Sequence, residues 1–446
     1  IKTIKSIPLN LYEEYKIPDL LEIRGEVFIK HSDFEKLNKI RLEKDENIFA
    51  NTRNCASGSL RQLDPKITAS RPLVVNFYGA GLIENSDINS QYKLINTLPS
   101  WGLPINPLIK RGQGINFLLE YYDTIEKIRP SLDYDIDGVV FKVNLFELQR
   151  MLGSRSRAPR WAIAGKLKAE QGTTTILDII PSVGRTGAIT PVANLKPVSI
   201  GGVTISNATL HNQDEIDRKD VRVGDTVIVQ RAGDVIPEVV KIISSKRKNN
   251  SVAYKLPTLC PSCQSSLKRK KDEAVLRCEN INCFDQQKGR IKHFVSKNCM
   301  DIDGFGSKLI DQLVDNKLVS NISDIFSLEF SDLMTIDRMA EKSVNNILNA
   351  IENSKDTQLW RFLHGLGIRN IGENGSKILS QKIQSIDQLF QINIGDLNSI
   401  NEIGDIMATS IVDFFSLKDN QNIINRCIDA GLKFKAQEVS SNQLEG

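Results

Sequence analysis

DYDIDGVVFKVN, residues 133–144, sets three carboxylates and a lysine around an apolar run. Val139-Val140-Phe141-Lys142-Val143 is β-branched and aromatic, the composition of a strand. Side chains alternate along a strand, so Val140, Lys142 and Asn144 share one face while Val139, Phe141 and Val143 share the other. An ammonium on a half-buried face needs an anionic partner, because an unpaired buried charge is costly. Two partners are open from this stretch alone: a structural carboxylate or a bound phosphate.

Around this strand, residues 1–171 mix strands and helices. LLEIRGEVFI and RPLVVNFYGAGL read as strands, and HSDFEKLNKIRLEK and GINFLLEYYDTIEKIR as amphipathic helices. Residues 172–250 change to short β-rich runs between Gly and Pro turns, the texture of a small closed barrel such as an OB-fold. SSKRKNNSVAYK reads as a polar linker, a cysteine-rich module covers 256–290, and residues 291–437 read as almost entirely helical. The expected fold class is therefore multidomain α+β. With 446 residues the chain is too long for a single core. No apolar run approaches membrane-spanning length and no signal peptide opens the chain, so a cytosolic home is expected. The net charge of +4 does not by itself call for a polyanionic partner. The basic clusters Arg155/Arg157/Arg160, Lys246–Lys248 and Lys268–Lys271 are compatible with one or with solvated surface. The chain opens at Ile1 and closes on QEVSSNQLEG, with 438–446 linker-like, and reads as a piece of a longer protein.

Cys260-x2-Cys263 and Cys278-x4-Cys283 form two close pairs separated by enough chain for a hairpin, a spacing that places four thiolates around one Zn2+. Four protein ligands leave no open position, so the metal is structural; the alternative is free cysteines. Cys55, Cys299 and Cys427 read as small core residues. In the helical region a weak repeat recurs at about 30-residue intervals, the habit of helix-hairpin-helix units. Its turns are Gly304-Phe305-Gly306, Arg338-Met339-Ala340, Asn370-Ile371-Gly372 and Glu402-Ile403-Gly404. Such a turn, opening onto a helix N-terminus, offers backbone N–H groups to phosphate without reading bases. Gly304, Gly306, Gly372 and Gly404 are the candidate contacts; the second turn is degenerate and the fourth carries a carboxylate. Plain helix packing is the alternative for any one turn. In the barrel, Arg185 of VGRTG and Arg231 of RAGDVIP sit at turns and can reach phosphates or solvent.

The first region also carries charged residues within strand-like segments: Glu26, Arg53, Arg61, Asp137, Lys142 and Lys166. Each has an ordinary salt-bridge explanation. Together they form the balanced set that a nucleotide pocket with a metal requires, cations for phosphates and carboxylates for Mg2+ or ribose hydroxyls.

LEIRGEVF, FANTRNCASGSLRQLDPKIT, DIDGVVFKVN, APRWAIAGKLKAE, VGRTGAITPVA, ATLHN and RAGDVIP, in this order, closely resemble segments of the bacterial NAD-dependent DNA ligases. The resemblance covers essentially the whole chain. It implies the C-terminal part of a nucleotidyltransferase domain, an OB-fold, a four-cysteine zinc module and a helix-hairpin-helix domain. It implies nucleotide-site roles for Glu26, Lys142 and Lys166, action on the nick or adenylate for Arg53 and Arg61, and a metal-side carboxylate in Asp137. By the same resemblance the cofactors are NAD+, Mg2+ (or Mn2+) and structural Zn2+. The partner is nicked double-stranded DNA gripped by its backbone without base specificity, and the expected state is a monomer in the bacterial cytoplasm, on the nucleoid during replication and repair. The chain departs from the family at Thr52, Cys55, Gly165, Leu167 and Lys168. It contains no Lys-x-Asp-Gly, the motif whose lysine carries AMP, so self-adenylation is not expected of these residues. Two rivals remain: an ATP-using ligase or capping-type nucleotidyltransferase, and a non-enzymatic duplex-DNA-binding protein built on the barrel, zinc and hairpins.

Overall fold

In the computed structural model the described residues are 1–12, 16–155, 158–231, 236–248, 250–269, 273–280, 282–383 and 385–435. Arg157, residues 232–235 of RAGDVIP, Lys270, Lys271 and the 438–446 stretch lie outside them. The chain divides into two compact units, Ile1–Ile176 with Leu195–Ala208 and Asp225–Arg247, and Leu177–Asn194 with Thr209–Gly224 and Lys248–Gly446.

The first unit opens with two antiparallel ribbons. β1 (Leu20–Ile29) leads into α1 (His31–Glu43), α2 (Thr52–Leu60) and α3 (Pro65–Ala69), then pairs with β2 (Leu73–Glu84). The inward side of β2, Leu73, Val75 and Phe77, is buried; Val75 and Phe77 cluster with Leu94, Leu98 and the fully buried Trp101 behind α4 (Gln91–Thr97). α5 (Gly114–Ile128) precedes β3 (Gly138–Lys142), and α6 (Phe146–Leu152) separates it from its partner β4 (Ala162–Lys166). The apolar face expected of β3 meets α5: Tyr121 packs edge-on against Phe141, ring centres 6.5 Å apart. The opposite face leaves Val140 60% exposed, so Lys142 stands on the open side of the ribbon.

Five strands close into a barrel in the order β5 (Glu170–Val183), β6 (Ile189–Ile200), β7 (Val203–Thr209), β9 (Glu238–Ile242), β8 (Thr226–Arg231). In the first unit's share of it, Leu195, Ile205, Val227, Val229 and Val239 are buried. Buried Asp225 receives two 2.8 Å hydrogen bonds from Arg247.

In the second unit, the tip of the β5–β6 hairpin continues the edge of the zinc-module hairpin, β10 (Leu267–Lys268) with β11 (Arg277–Cys278). The Cys278 N–H donates to the Gly187 carbonyl at 2.9 Å, and the Ile189 N–H to Leu276 at 2.8 Å. Gly187 has φ +76°, and a Cβ there would lie 2.1 Å from the Cys278 carbonyl oxygen. Gly187→Ala is therefore expected to cost at least about 2 kcal/mol, since it adds a left-handed backbone penalty to a backbone clash. Calorimetric unfolding of the variant checks this, and an unchanged Tm would contradict it.

The stretch that reads as a linker is fastened in place. α7 (Gln213–Lys219) receives the Leu256 N–H on Gln213 Oε1 at 2.8 Å, and Lys255 pairs with Asp217 at 2.8 Å. These partners lie some forty residues upstream, beyond any local sequence signal.

After the cysteines come α8 (Phe284–Phe294), α9 (Ser307–Asp315), α10 (Phe330–Met334), α11 (Glu341–Ser354), α12 (Leu359–Gly365), α13 (Glu373–Lys382), α14 (Asp387–Phe390), α15 (Ile394–Asn398), α16 (Asp405–Ser416) and α17 (Lys418–Asp429), around one shared core. The helical expectation misses one feature: β12 (Asp356–Gln358) and β13 (Lys433–Lys435) pair in parallel and tie the end of the array back to its middle. Among the described residues no helix is long and apolar enough to cross a membrane.

Candidate active site and nucleic-acid interface

Lys142 lies at the end of β3, and what meets it is set by an irregularity in β2. Arg24 faces Gly79 and Gly25 faces Phe77, so Tyr78 is the extra residue of a bulge. A bulge residue drops out of the ladder and re-aims its groups. The Tyr78 carbonyl accepts from Lys142 Nζ at 2.9 Å and from Gln91 Nε2 at 2.8 Å. The Tyr78 ring lies 4.9 Å from Nζ, a cation–π distance. Gln91 is held there because the strand runs on into Asn144, whose carbonyl and side-chain oxygen receive the Gln91 and Tyr92 N–H groups at 2.8 and 2.9 Å.

Among the described residues no carboxylate pairs with Lys142. Its pKa lies below the ordinary lysine value, first because burial disfavours the ammonium and second because Arg24 adds a like charge. Of the two partners open at the sequence level, the structural carboxylate is thus ruled out within these residues. The site is a half-buried cation beside a second cation, with one carbonyl and one ring face to satisfy it.

Lys166 differs. It lies opposite Gly138 in the β3–β4 register, and its Nζ pairs with Asp137 Oδ2 at 2.9 Å, both side chains well exposed. Lys142 and Lys166 share a face of the ribbon but sit four positions apart, about 14 Å along it. Glu26 is exposed on β1 opposite Asn76. Arg53 in the first turn of α2 and Arg61 at its C-cap are both exposed, so these two stand on a helix and not within a strand as expected, the Asn51 cap having started a helix there. α2 itself is fixed from below by buried Cys55, Ala56 and Ser59, and at its start by Asn51, whose side chain accepts from the Asn54 N–H at 2.7 Å. Asp135 joins α2 to α1, accepting from the Thr52 hydroxyl and meeting His31 Nε2 at 2.9 Å.

Sequence reasoning passed over Tyr78, Gln91 and Arg24. The available signal was Gly79 and Gly81 inside a strand, which marks a bulge or a close approach.

In the second unit the four cysteines converge. Cys260 and Cys283 sulphurs are 3.9 Å apart, Cys263 and Cys278 3.5 Å, and all four lie within 4.8 Å of one another. A tetrahedral ion with metal–sulphur bonds of about 2.3 Å needs sulphurs about 3.8 Å apart, so the set fits structural Zn2+ with no open position. Glu273, on the hairpin between the cysteine pairs, bonds Arg369 at 2.6 Å and Arg277 at 3.0 Å. Those arginines, Arg369 first, hold its carboxyl down to about 2. The bonds fasten the zinc hairpin to the third helical turn, and acid must reach that range to release them.

The four helical turns share one backbone. The first residue is left-handed in each: Gly304 at φ +87°, Arg338 at +64°, Asn370 at +62°, Glu402 at +71°. Phe305, Ile371 and Ile403 are buried as the middle residue, and Met339 packs against the same core. The third residue is the N-cap of the following helix in every case, and none of the four caps bonds through a side chain. The first-turn N–H groups of α9, α11, α13 and α16 are thus left without a capping side chain. α9 has no acidic residue in that turn, whereas α11, α13 and α16 begin with Glu341, Glu373 and Asp405. In the barrel, Arg185 is exposed at the β5–β6 tip and Arg231 ends β8 opposite Glu170.

Comparison with known proteins adds a family to this geometry. Residues 1–170 match the NAD-dependent DNA ligase adenylation domain, 173–251 the NAD-dependent DNA ligase OB-fold domain, 260–283 the NAD-dependent DNA ligase C4 zinc finger domain, and 361–424 the helix-hairpin-helix motif. A curated DNA ligase of Desulfosudis oleivorans is 48% identical over 445 residues, covering 99% of this chain and 65% of the relative. Those of Geobacter metallireducens and Saccharophagus degradans are 48% and 45% identical over 98% and 97% of this chain. The chain spans about 65% of the length of these relatives.

Proposed function

This chain belongs to the NAD-dependent DNA ligase family, and we propose that its residues serve the sealing of nicks in duplex DNA by a bacterial enzyme acting as a monomer in the cytoplasm, on the nucleoid, during replication and repair. The observation that carries this reading is Lys142, a half-buried ammonium with no carboxylate partner among the described residues and Arg24 as a neighbouring cation. Arg24 has Glu22 at 3.8 Å, whereas Lys142 has no such counter-charge among these residues, and a phosphate supplies it.

In the proposed reaction a lysine of the whole protein attacks the α-phosphorus of NAD+ and nicotinamide mononucleotide leaves. A 5′-phosphate oxygen at the nick then bonds the AMP phosphorus as the lysyl P–N bond breaks, and the lysine leaves with that electron pair and regains a proton. Finally the 3′-oxygen bonds that phosphorus, its proton is lost, and AMP departs with the electrons of the broken P–O bond. Lys142 neutralises the adenylate phosphate in each step, most strongly as charge builds on the equatorial oxygens. Lys166, held ready by Asp137, exchanges that carboxylate for phosphate as the nucleotide enters. Glu26 takes a hydrogen bond from the ribose, and Arg53 and Arg61 lie on the side of the nick. Asp137, a single exposed carboxylate beside the pocket, fits Mg2+ (or Mn2+), which binds through few protein ligands plus substrate phosphates and would stabilise charge at phosphorus.

The barrel arginines and the helical turns then hold the duplex. The first turn, with Gly304, Gly306 and no acid in the helix that follows, makes the strongest phosphate contact; the turns at Gly372 and Gly404 are weakened by Glu373, Glu402 and Asp405. The expected binding is independent of sequence, with log Kd rising linearly with log salt at about 0.9 per neutralised phosphate. Fluorescence anisotropy on two unrelated nicked duplexes across a salt series tests this. Affinity for one sequence alone, or binding indifferent to salt, would overturn it.

A further inference from the structure

The metal-ligand side chains of the described residues form a second cluster besides the four cysteines: His293, Cys299 and His364, with one ligand atom of each within 4.8 Å of the others. His293 lies in the last turn of α8, Cys299 in the turn that follows, and His364 in the last turn of α12. Cys299 is fully buried and the two imidazoles are half-buried, their ring centres 4.9 Å apart and nearly perpendicular.

One hydrogen bond decides what His293 can do. Its Nε2 lies 2.8 Å from the His364 carbonyl oxygen, which can only accept, so Nε2 carries the proton and Nδ1 keeps its lone pair. A ligating histidine is oriented in this way, with its far N–H donated to a carbonyl. The Cys299 sulphur is 3.8 Å from that Nδ1. A zinc-type ion, with bonds of about 2.0–2.1 Å to nitrogen and about 2.3 Å to sulphur, asks for about 3.6 Å. The sulphur is also 3.7 Å from Nε2, which sets it beside the ring instead of on the lone pair. Loading therefore includes a rotation of Cys299 about χ1.

We propose that His293, Cys299 and His364 form a second metal site, taking a zinc-type divalent ion through two imidazole nitrogens and one thiolate, with water in the fourth position. The thiol gives its proton to solvent as the ion binds. The ion fastens the helix that leaves the zinc module, α8, to α12 at the start of the third and fourth hairpins. The charge of Arg185 is felt at both His293 and Cys299 and opposes the cation, so this site binds more weakly than the four thiolates. The site is independent of the ligase reading.

The test is the zinc content of the full chain after equilibration in buffered free Zn2+, followed by Co2+ exchange into the weaker site alone. Two ions per chain are expected for the parent, and one each for Cys299→Ser and His364→Gln. The parent's weaker site should show a thiolate-to-cobalt charge-transfer band that both variants lack. One ion in the parent, or two ions in both variants, would overturn the proposal. If a variant fails to fold, the parent's second-site band decides: its absence overturns the site.

Discussion

A Lys142→Ala chain is expected to seal a nick that already carries 5′-AMP about 10²–10³-fold more slowly than its parent, the loss seen when one preorganised donor to a developing oxyanion is removed. Among the described residues Lys142 joins no structural ion pair. Its contacts are the Tyr78 carbonyl and ring, and Arg24 stands against it. Removing the side chain therefore releases a charge that burial disfavours and breaks little that holds the fold. The penalty falls on the reaction, with Tm and duplex affinity close to the parent's. Single-turnover rates on the adenylated nick check this. Lys142→Arg keeps the charge but not the point-like ammonium that reaches Tyr78, so it should recover only part of the rate. A Lys142→Ala rate within threefold of the parent would sink the assignment.

Removing the zinc is expected to have the other large effect. Structural zinc supplies about 10–16 kcal/mol of apparent binding free energy in small zinc modules, which here is folding free energy for the segment around the cysteines. That segment is small: its named strands are two residues each, and its buried cluster is chiefly the cysteines with Val183 and Leu267. Without the ion its described residues hold little core of their own. Cys260→Ser or a strong chelator should therefore release the backbone bonds to the Gly187 tip and the Glu273 clamp on Arg369, and duplex affinity should fall at least about tenfold as phosphate contacts on that side are lost. Hydrogen exchange across 258–283, read beside zinc content, checks the first part. Full protection in zinc-free protein would contradict it.

β3 could be read from Val139–Val143 because β-branched and aromatic residues announce a strand locally. The zinc set could be read because two close cysteine pairs at those spacings are a metal-ligand pattern in themselves. The Tyr78 bulge could be read only in part: Gly79 and Gly81 flag an irregularity in the strand, but not its place in the register. It depends on how β1 and β2 come into register, some fifty residues apart, and no short window contains both. The same limit hid the anchoring of Leu256 on Gln213 and the pairing of β12 with β13. The helical turns show a subtler failure. Glycine was the sequence signature, yet Arg338, Asn370 and Glu402 hold the same left-handed first position as Gly304. A non-glycine residue there costs about 1–2 kcal/mol, an amount the buried middle residue and the shared core can offset. Identity at that position is thus a poor guide to the backbone.

The pocket around Lys142 is expected to handle adenylate phosphate. The most direct measurement mixes residues 1–446 with Mg2+ and two nicked duplexes, one with AMP already on its 5′-phosphate and one with a plain 5′-phosphate plus NAD+, and follows the sealed strand on a denaturing gel. Sealing of the adenylated nick with release of AMP is expected. No sealing of the plain one is expected, because no Lys-x-Asp-Gly lies within these residues. An adenylated nick that is bound but never sealed would contradict the first expectation.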